Sequence, residues 1–385
     1  MKGLVLDAVW EPRADYEVSD WEKETGKAVT GNSIWRNPEL GVRDWEDPKP
    51  GPNDVLLAVQ ACGVCGSDMH FYETDNEGYI LYPGLTKFPT ILGHEFSAKV
   101  VEVGKDVTTL KVGDMVTVEE MIWCGRCTPC RNGYPNHCVN LEEIGFTIPG
   151  AFANYIAVDE KFCWKIDAIA EHFGDEKKAY EVGAMTEPSC VAYNAMFTRA
   201  GGFKPGHYVS VFGAGPIGLA AIGLAKAAGA GMIVAFEVSP QRLELAKKVG
   251  AEYAYDPREV SPSEVMMHLS KGEGFDFHVE AAGVPELVVP EMEKALAINS
   301  KVVQIGRAAQ RVPMYLESFQ VRRGQVFGAQ GHSGHENFPN VVRLVASGRL
   351  DLSPIVTARY GLADTVEAIK KSTQRADGKI MVLPN

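Results

Sequence analysis

The sequence predicts an α/β protein of two domains: a small antiparallel barrel, discontinuous along the chain, with a doubly wound parallel sheet inserted into it. Three observations carry this. An apolar strand, His207–Phe212, runs into Gly213-Ala214-Gly215-Pro216-Ile217-Gly218 and an alanine-rich helix, and a second strand ending in Glu237 comes next; that is the βαβ pattern of a parallel sheet. Short alternating segments, SAKVVEVGKDV from Ser97 and KVGDMVTVEE from Lys111, turn at Gly104 and Gly113 and read as antiparallel strands. The last strand, Lys379–Leu383, is too short to stand alone and has to pair with the first sheet. The expected domains are 1–188 with 329–385, and 189–328.

The composition agrees. A chain of 385 residues exceeds one compact core and suggests about two domains. Lys and Arg number 38 against 50 Asp and Glu, a net charge of −12, so the global field repels nucleic acid and anionic membrane surfaces. The N-terminal segment Met1–Trp10 alternates like a strand and lacks the layout of a secretory signal, and no apolar run approaches the roughly 20 residues of a membrane span. Four of the eight cysteines crowd between Cys124 and Cys138 at metal spacing, which favours ligands over disulfides and a reducing, cytoplasmic compartment.

Along the first half, Glu11–Arg36 is polar and without period, and reads as a surface excursion whose tryptophans pin it down or cover a site. Asp54–Ala61 is a strand that delivers Cys65 to a glycine-flanked bend. Cys65, His94 and Glu95 offer a thiolate, an imidazole and a carboxylate, a zinc set that leaves positions free for substrate. Taken alone, a buried thiol and a core histidine fit Cys65 and His94 equally well. Ser67 and His70 lie close enough to Cys65 to accept and pass on a substrate proton, and a turn serine and a surface histidine are the plain alternative. Phe71–Pro89 is longer than a connection needs and reads as a binding loop.

Cys124, Cys127, Cys130 and Cys138 suit a closed tetrahedral zinc site; an iron–sulfur cluster would close with a gap of three and a proline, whereas here the last gap is seven. Cys62, Cys163 and Cys190 read as small packing residues.

In the second half, Gly213 permits the tight turn, Gly215 the approach of a pyrophosphate and Gly218 close helix packing, with Ile217 in the same loop. The helix N-terminus favours the anion. Glu237, 19 positions after Gly218, is placed to accept ribose hydroxyls and repel a 2′-phosphate, favouring NAD over NADP, while Arg242 offers partial accommodation of that phosphate. Further strands are expected at Phe275–Glu280, Lys301–Ile305 and Gln325–Gly328, with a helix at Leu287–Ile298 between the first two.

Together, Gly63-Val64-Cys65-Gly66-Ser67-Asp68, Gly93-His94-Glu95, the four-cysteine loop, Glu187-Pro188 and the glycine loop resemble the zinc-dependent medium-chain dehydrogenase/reductases over nearly the whole chain. The resemblance implies a GroES-like catalytic domain with an inserted Rossmann domain, two zinc ions per subunit, one catalytic and one structural, and NAD. It makes Cys65, His94, Glu95 and Glu187 the catalytic-zinc positions, with the choice between Glu95 and Glu187 open. Glu187 stands where other branches carry a cysteine, which resembles the sorbitol and threonine dehydrogenase branch. As a whole the chain is most similar to enzymes of inositol breakdown that oxidise an inosose.

The resemblance further implies a small-molecule polyol or inosose substrate, alkoxide formation at zinc with Ser67 and His70 as proton outlet, and a dimer or tetramer built through the Rossmann sheet edge. Two carboxylates and a thiolate would leave the metal site net negative. A zinc-free quinone reductase and a non-catalytic binding protein on the same fold are the competing readings.

Overall fold

A computed structural model describes residues 1–307 and 311–385. Their contacts form two compact units, Met1–Glu187 with Ala358–Gln374 and Lys379–Asn385, and Pro188–Thr357 with Arg375–Gly378.

The first unit is organised on a seven-stranded sheet. Its order runs Cys163–Lys165, Met115–Val118, Glu95–Val103, Asp54–Gly63, Lys379–Leu383, Val356–Gly361, with Tyr155–Asp159 also paired to Asp54–Gly63. Asp54–Gly63 alternates half-buried and buried positions along most of its length, and Val55, Leu57, Val59 and Ala61 are fully buried on one face. The register sets the site: Gly63 lies opposite Glu95 on one side and opposite Met381 on the other. A second, three-stranded antiparallel sheet has the order Trp35–Asp44, Lys2–Trp10, Thr90–Ile91.

Glu11–Arg36 is more ordered than its polarity suggests. Ser19 caps the helix Asp20–Thr25 in a capping box with Glu22. The Glu22 carboxylate is buried and accepts from the backbone amides of Ser19 and Val29 and from the hydroxyl of Tyr16. Ala28, Ile34 and Trp35 then enter the main core, with the Trp35 ring 5.0 Å from those of Trp10 and Phe88. Trp21 alone of the early tryptophans projects outward, 43% exposed.

The second unit holds a six-stranded parallel sheet in the order Tyr253–Tyr255, Met232–Phe236, Tyr208–Phe212, Phe275–Glu280, Leu296–Gln304, Gln325–Gly328. This is the doubly wound order, with its switch point beside Tyr208–Phe212. The helix expected at Leu287–Ile298 is Pro285–Lys294; Leu296 already opens a nine-residue strand.

The expected return to the first unit at 329 falls at 358. The helix Asn337–Ala346 buries Phe338, Val341, Val342 and Val345, and polar bonds fasten the segment to the second unit: Asn194 Nδ2 donates to the carbonyls of Gln330 and Gly331, and Thr198 Oγ1 to Asn337 Oδ1. Arg375–Gly378 rejoins the same unit, where Asp377 accepts from Arg242 and Thr357. Among the described residues no helix is long and apolar enough to cross a membrane.

Candidate active site

Cys65 ends the turn after Asp54–Gly63 and caps the helix Gly66–Tyr72, where its backbone amide donates to Asp68 Oδ2 at 2.8 Å. The helix carries Ser67 in its first turn and His70 in its last. His94 and Glu95 come from the neighbouring strand start, so the antiparallel register brings the two short motifs together. One ligand atom each of Cys65, His94 and Glu95 lie within 4.8 Å of one another. His94 and Glu95 are 4% and 1% exposed.

The electrostatics are those of a cation site. Burial disfavours a charged His94, yet the Cys65 thiolate, hydrogen-bonded to it, and the charges of Asp68 and Glu187 push its pKa well above the ordinary histidine value. Burial pushes the Asp68 carboxyl up to about 6. Thiolate, imidazole and carboxylate together suit zinc, and His94 Nδ1 and Ser67 Oγ are buried with no hydrogen-bond partner among the described residues. The residues fit the metal.

Glu187 stands slightly apart. It is buried in the first turn of Thr186–Tyr193, and a carboxylate oxygen approaches one of Glu120 within 4.8 Å. Glu120 escaped the sequence reading because a carboxylate at a strand end carries no motif. Lys379 escaped it too: it is buried and paired with Glu95. Phe146 packs against the imidazole, its ring 4.7 Å from that of His94, and Tyr82 and Phe71 pack on Phe146.

The four cysteines between 124 and 138 also converge, their sulfurs within 4.8 Å of one another. Backbone amides point at them: the amides of Cys124 and Asn140 donate to Cys138 Sγ at 3.3 and 3.4 Å. Amides of Arg126 and Cys127 draw the Cys124 thiol down to about 5, whereas burial lifts Cys130 to about 12. Such a cradle favours thiolates for a tetrahedral ion.

In the second unit Gly213 sits at φ 87°, and a side chain at Gly218 would overlap its carbonyl. Gly215 caps the helix Pro216–Ala227, and Ile217 falls in that helix's first turn. Beside them lies a cavity of about 670 Å³ whose lining includes Gly213, Gly215, Glu237, Arg242, Arg258 and Arg375. Glu237 Oε2 accepts from the Ala214 amide at 2.7 Å, and Oε1 from those of Val238 and Ser239 at 2.7 and 2.9 Å.

Among α/β oxidoreductases, those that join such a glycine loop to a thiolate-bearing metal centre are the metal-dependent dehydrogenases. Family profiles agree: residues 51–168 match the alcohol dehydrogenase GroES-like domain and residues 216–347 the zinc-binding dehydrogenase profile. The chain is 41% identical to the scyllo-inosose 3-dehydrogenase of Thermotoga maritima, over the whole of both chains. It is 34% identical to the L-threonine 3-dehydrogenase of Thermococcus kodakarensis, covering 88% of this chain and 93% of that one. A solved Thermotoga maritima structure, described as a candidate alcohol dehydrogenase, superposes over the whole of both chains with a TM-score of 0.96 at 41% identity. The chain belongs to the zinc-binding dehydrogenases with a GroES-like domain, and it is an oxidoreductase.

Proposed function

We propose that this enzyme oxidises a secondary hydroxyl of a cyclic polyol ketone, scyllo-inosose to a diketo-inositol, with NAD as hydride acceptor. The observation that carries the chemistry is the meeting of half-buried Cys65 with buried His94 and Glu95, with the Ser67 hydroxyl, two residues on from Cys65, unpartnered among the described residues; full-length identity to an inosose dehydrogenase supports the substrate. Zinc at this centre would supply the Lewis acidity that lowers the pKa of the substrate hydroxyl.

The chain's own residues do the rest. Cys65, His94 and a carboxylate, Glu95 or Glu187, hold the ion. Ser67 Oγ accepts the substrate proton and His70 passes it outward. The glycine loop and helix N-terminus seat the pyrophosphate, and Glu237 accepts the ribose hydroxyls, favouring NAD over NADP. Hydride leaves the carbon for the nicotinamide as the proton leaves the oxygen, so charge and electrons balance. Cys124, Cys127, Cys130 and Cys138 hold a second, structural zinc.

The homo-oligomer forms at the outer strand Gln325–Gly328. Among the described residues this strand is paired on one side only, and Val326 on it is 47% exposed.

NADH formation with scyllo-inosose, myo-inositol, sorbitol and L-threonine, before and after chelation, tests this. Chelator-sensitive activity with the inosose is expected. Turnover of L-threonine or sorbitol alone would move the enzyme to the corresponding branch.

A further inference from the structure

Lys379 is the only fully sequestered lysine or arginine among the described residues, 1% exposed in the last strand of the first unit. A buried ammonium is tolerated where its charge is paired and its protons are accepted. Nζ donates to Glu95 Oε2 and, at 3.0 Å, to the carbonyl of Val64, the residue before Cys65. One side chain thus grips both metal-binding segments.

The sheet makes this possible. Lys379–Leu383 lies beside Asp54–Gly63, with Met381 opposite Gly63 and the Val64 amide donating to Ile380 O at 2.9 Å. Gly63 in turn faces Glu95. A side chain at Gly63 would overlap Glu95 Oε2 and crowd Lys379 Cδ at 3.0 Å, so the glycine leaves the space that the ion pair fills.

We propose that Lys379 is a positioning residue of the catalytic zinc centre: it engages one oxygen of Glu95, leaves the other for the metal, and supplies a cation that offsets part of the site's negative charge. The proposal rests on reading Cys65, His94 and Glu95 as that centre. With a thiolate, the carboxylates of Glu95 and Glu187 and the buried carboxylate of Asp68 beside them, a divalent ion alone leaves the centre net negative. Lys379 offsets one of those negative charges. A less negative surround preserves more of the Lewis acidity that extra anions blunt. A released Glu95 would be free to turn both oxygens to the ion.

The test exchanges cobalt into the catalytic site of the full-length holoenzyme, with the four-cysteine site left as zinc, and records the visible spectrum and kcat. Lys379→Met should alter the cobalt bands and lower kcat by about 10- to 100-fold, Lys379→Arg should recover most of both, and Lys379→Met with Glu95→Gln should return the bands toward those of Glu95→Gln alone. A folded Lys379→Met protein with unchanged bands and kcat overturns the proposal. Should Lys379→Met fail to fold, Glu95→Gln decides in its place: altered bands support an oxygen of Glu95 on the metal, unchanged bands overturn it. Cys65→Ser separates this from the underlying reading, since unchanged cobalt bands in that variant would remove the zinc centre itself.

Discussion

The Arg13 guanidinium lies 3.9 Å from the centre of the Tyr79 ring, and it also pairs with Asp75 and with Glu77 and donates to the carbonyl of Asn32. These bonds join the Glu11–Arg36 excursion to the loop that comes after His70. Trp35 Nε1 donates to Thr86 Oγ1 at 3.1 Å, and the Leu81 amide donates to the His70 carbonyl at 2.8 Å. The excursion therefore braces a loop that is hydrogen-bonded to the helix carrying Ser67 and His70. Arg13→Ala should cost about 1 kcal/mol of stability, since the pairs are partly solvated. It should also raise KM for the proposed inosose substrate more than KM for NAD. Thermal melts and steady-state kinetics check both; equal changes in the two KM values would detach the loop from substrate binding.

A second relationship sits in the core of the parallel sheet. Ser210 Oγ and His278 Nδ1 are 2.8 Å apart, both residues are fully buried, and Nε2 has no partner among the described residues. Burial depresses His278 to about 4. The unfolded chain, with a histidine near the ordinary value of about 6.5, binds the proton first. Stability is therefore complete above that value and falls as pH drops toward 4, by up to about 1.4 kcal/mol per pH unit. His278→Gln should flatten the slope by up to one proton, read from denaturant midpoints across the window. Parallel slopes in the two proteins would show that His278 binds its proton equally well in the folded and unfolded chain.

The part of the site legible in the sequence was local. Cys65, His94 and Glu95 sit in short glycine-flanked motifs, and the Gly213 loop sits between a strand and a helix, so each pointed to a candidate role at its own position. Lys379 did not: its partner is 284 residues away in sequence, and within an apolar terminal strand it looks like an exposed lysine at a strand start. The excursion misled because mean polarity hides a buried carboxylate, although Ser19-Asp20-Trp21-Glu22 does spell a capping box. The return point at 358 depends on the buried face of Asn337–Ala346, and no hydropathy pattern says which unit that face packs against.

The four-cysteine lobe gives a stability prediction. Between Met115–Val118 and Tyr155–Asp159 the chain forms only short elements, the longest a four-residue helix, Thr128–Arg131. A lobe so built depends on its ion. Cys127→Ser should remove the zinc proposed for this lobe and lower the melting temperature by roughly 5 °C or more, with residual activity greater than in Cys65→Ser. Metal analysis and calorimetry check it, and an unchanged melting temperature with one zinc lost would make the lobe self-supporting.

Glu237 gives the last. Its carboxylate accepts three backbone amides, those of Ala214, Val238 and Ser239, which fixes it at the mouth of the nucleotide cavity and ties the glycine loop to the strand end. Around it stand Arg242, held through Nε to the Asp377 carbonyl at 2.8 Å, and Arg258, paired with Asp256. Arg242 thus offers positive charge to a 2′-phosphate, and the Glu237 carboxylate beside it opposes that phosphate. Glu237→Gln keeps an oxygen acceptor and removes the repulsion. It should shift the NAD to NADP ratio of kcat/KM toward NADP by at least about tenfold, which corresponds to about 1.4 kcal/mol, chiefly through KM for NADP. Arg242→Ala in the same background should reverse most of the gain. An unchanged ratio in Glu237→Gln would mean that the carboxylate only braces the loop and that cofactor choice is made elsewhere in the cavity.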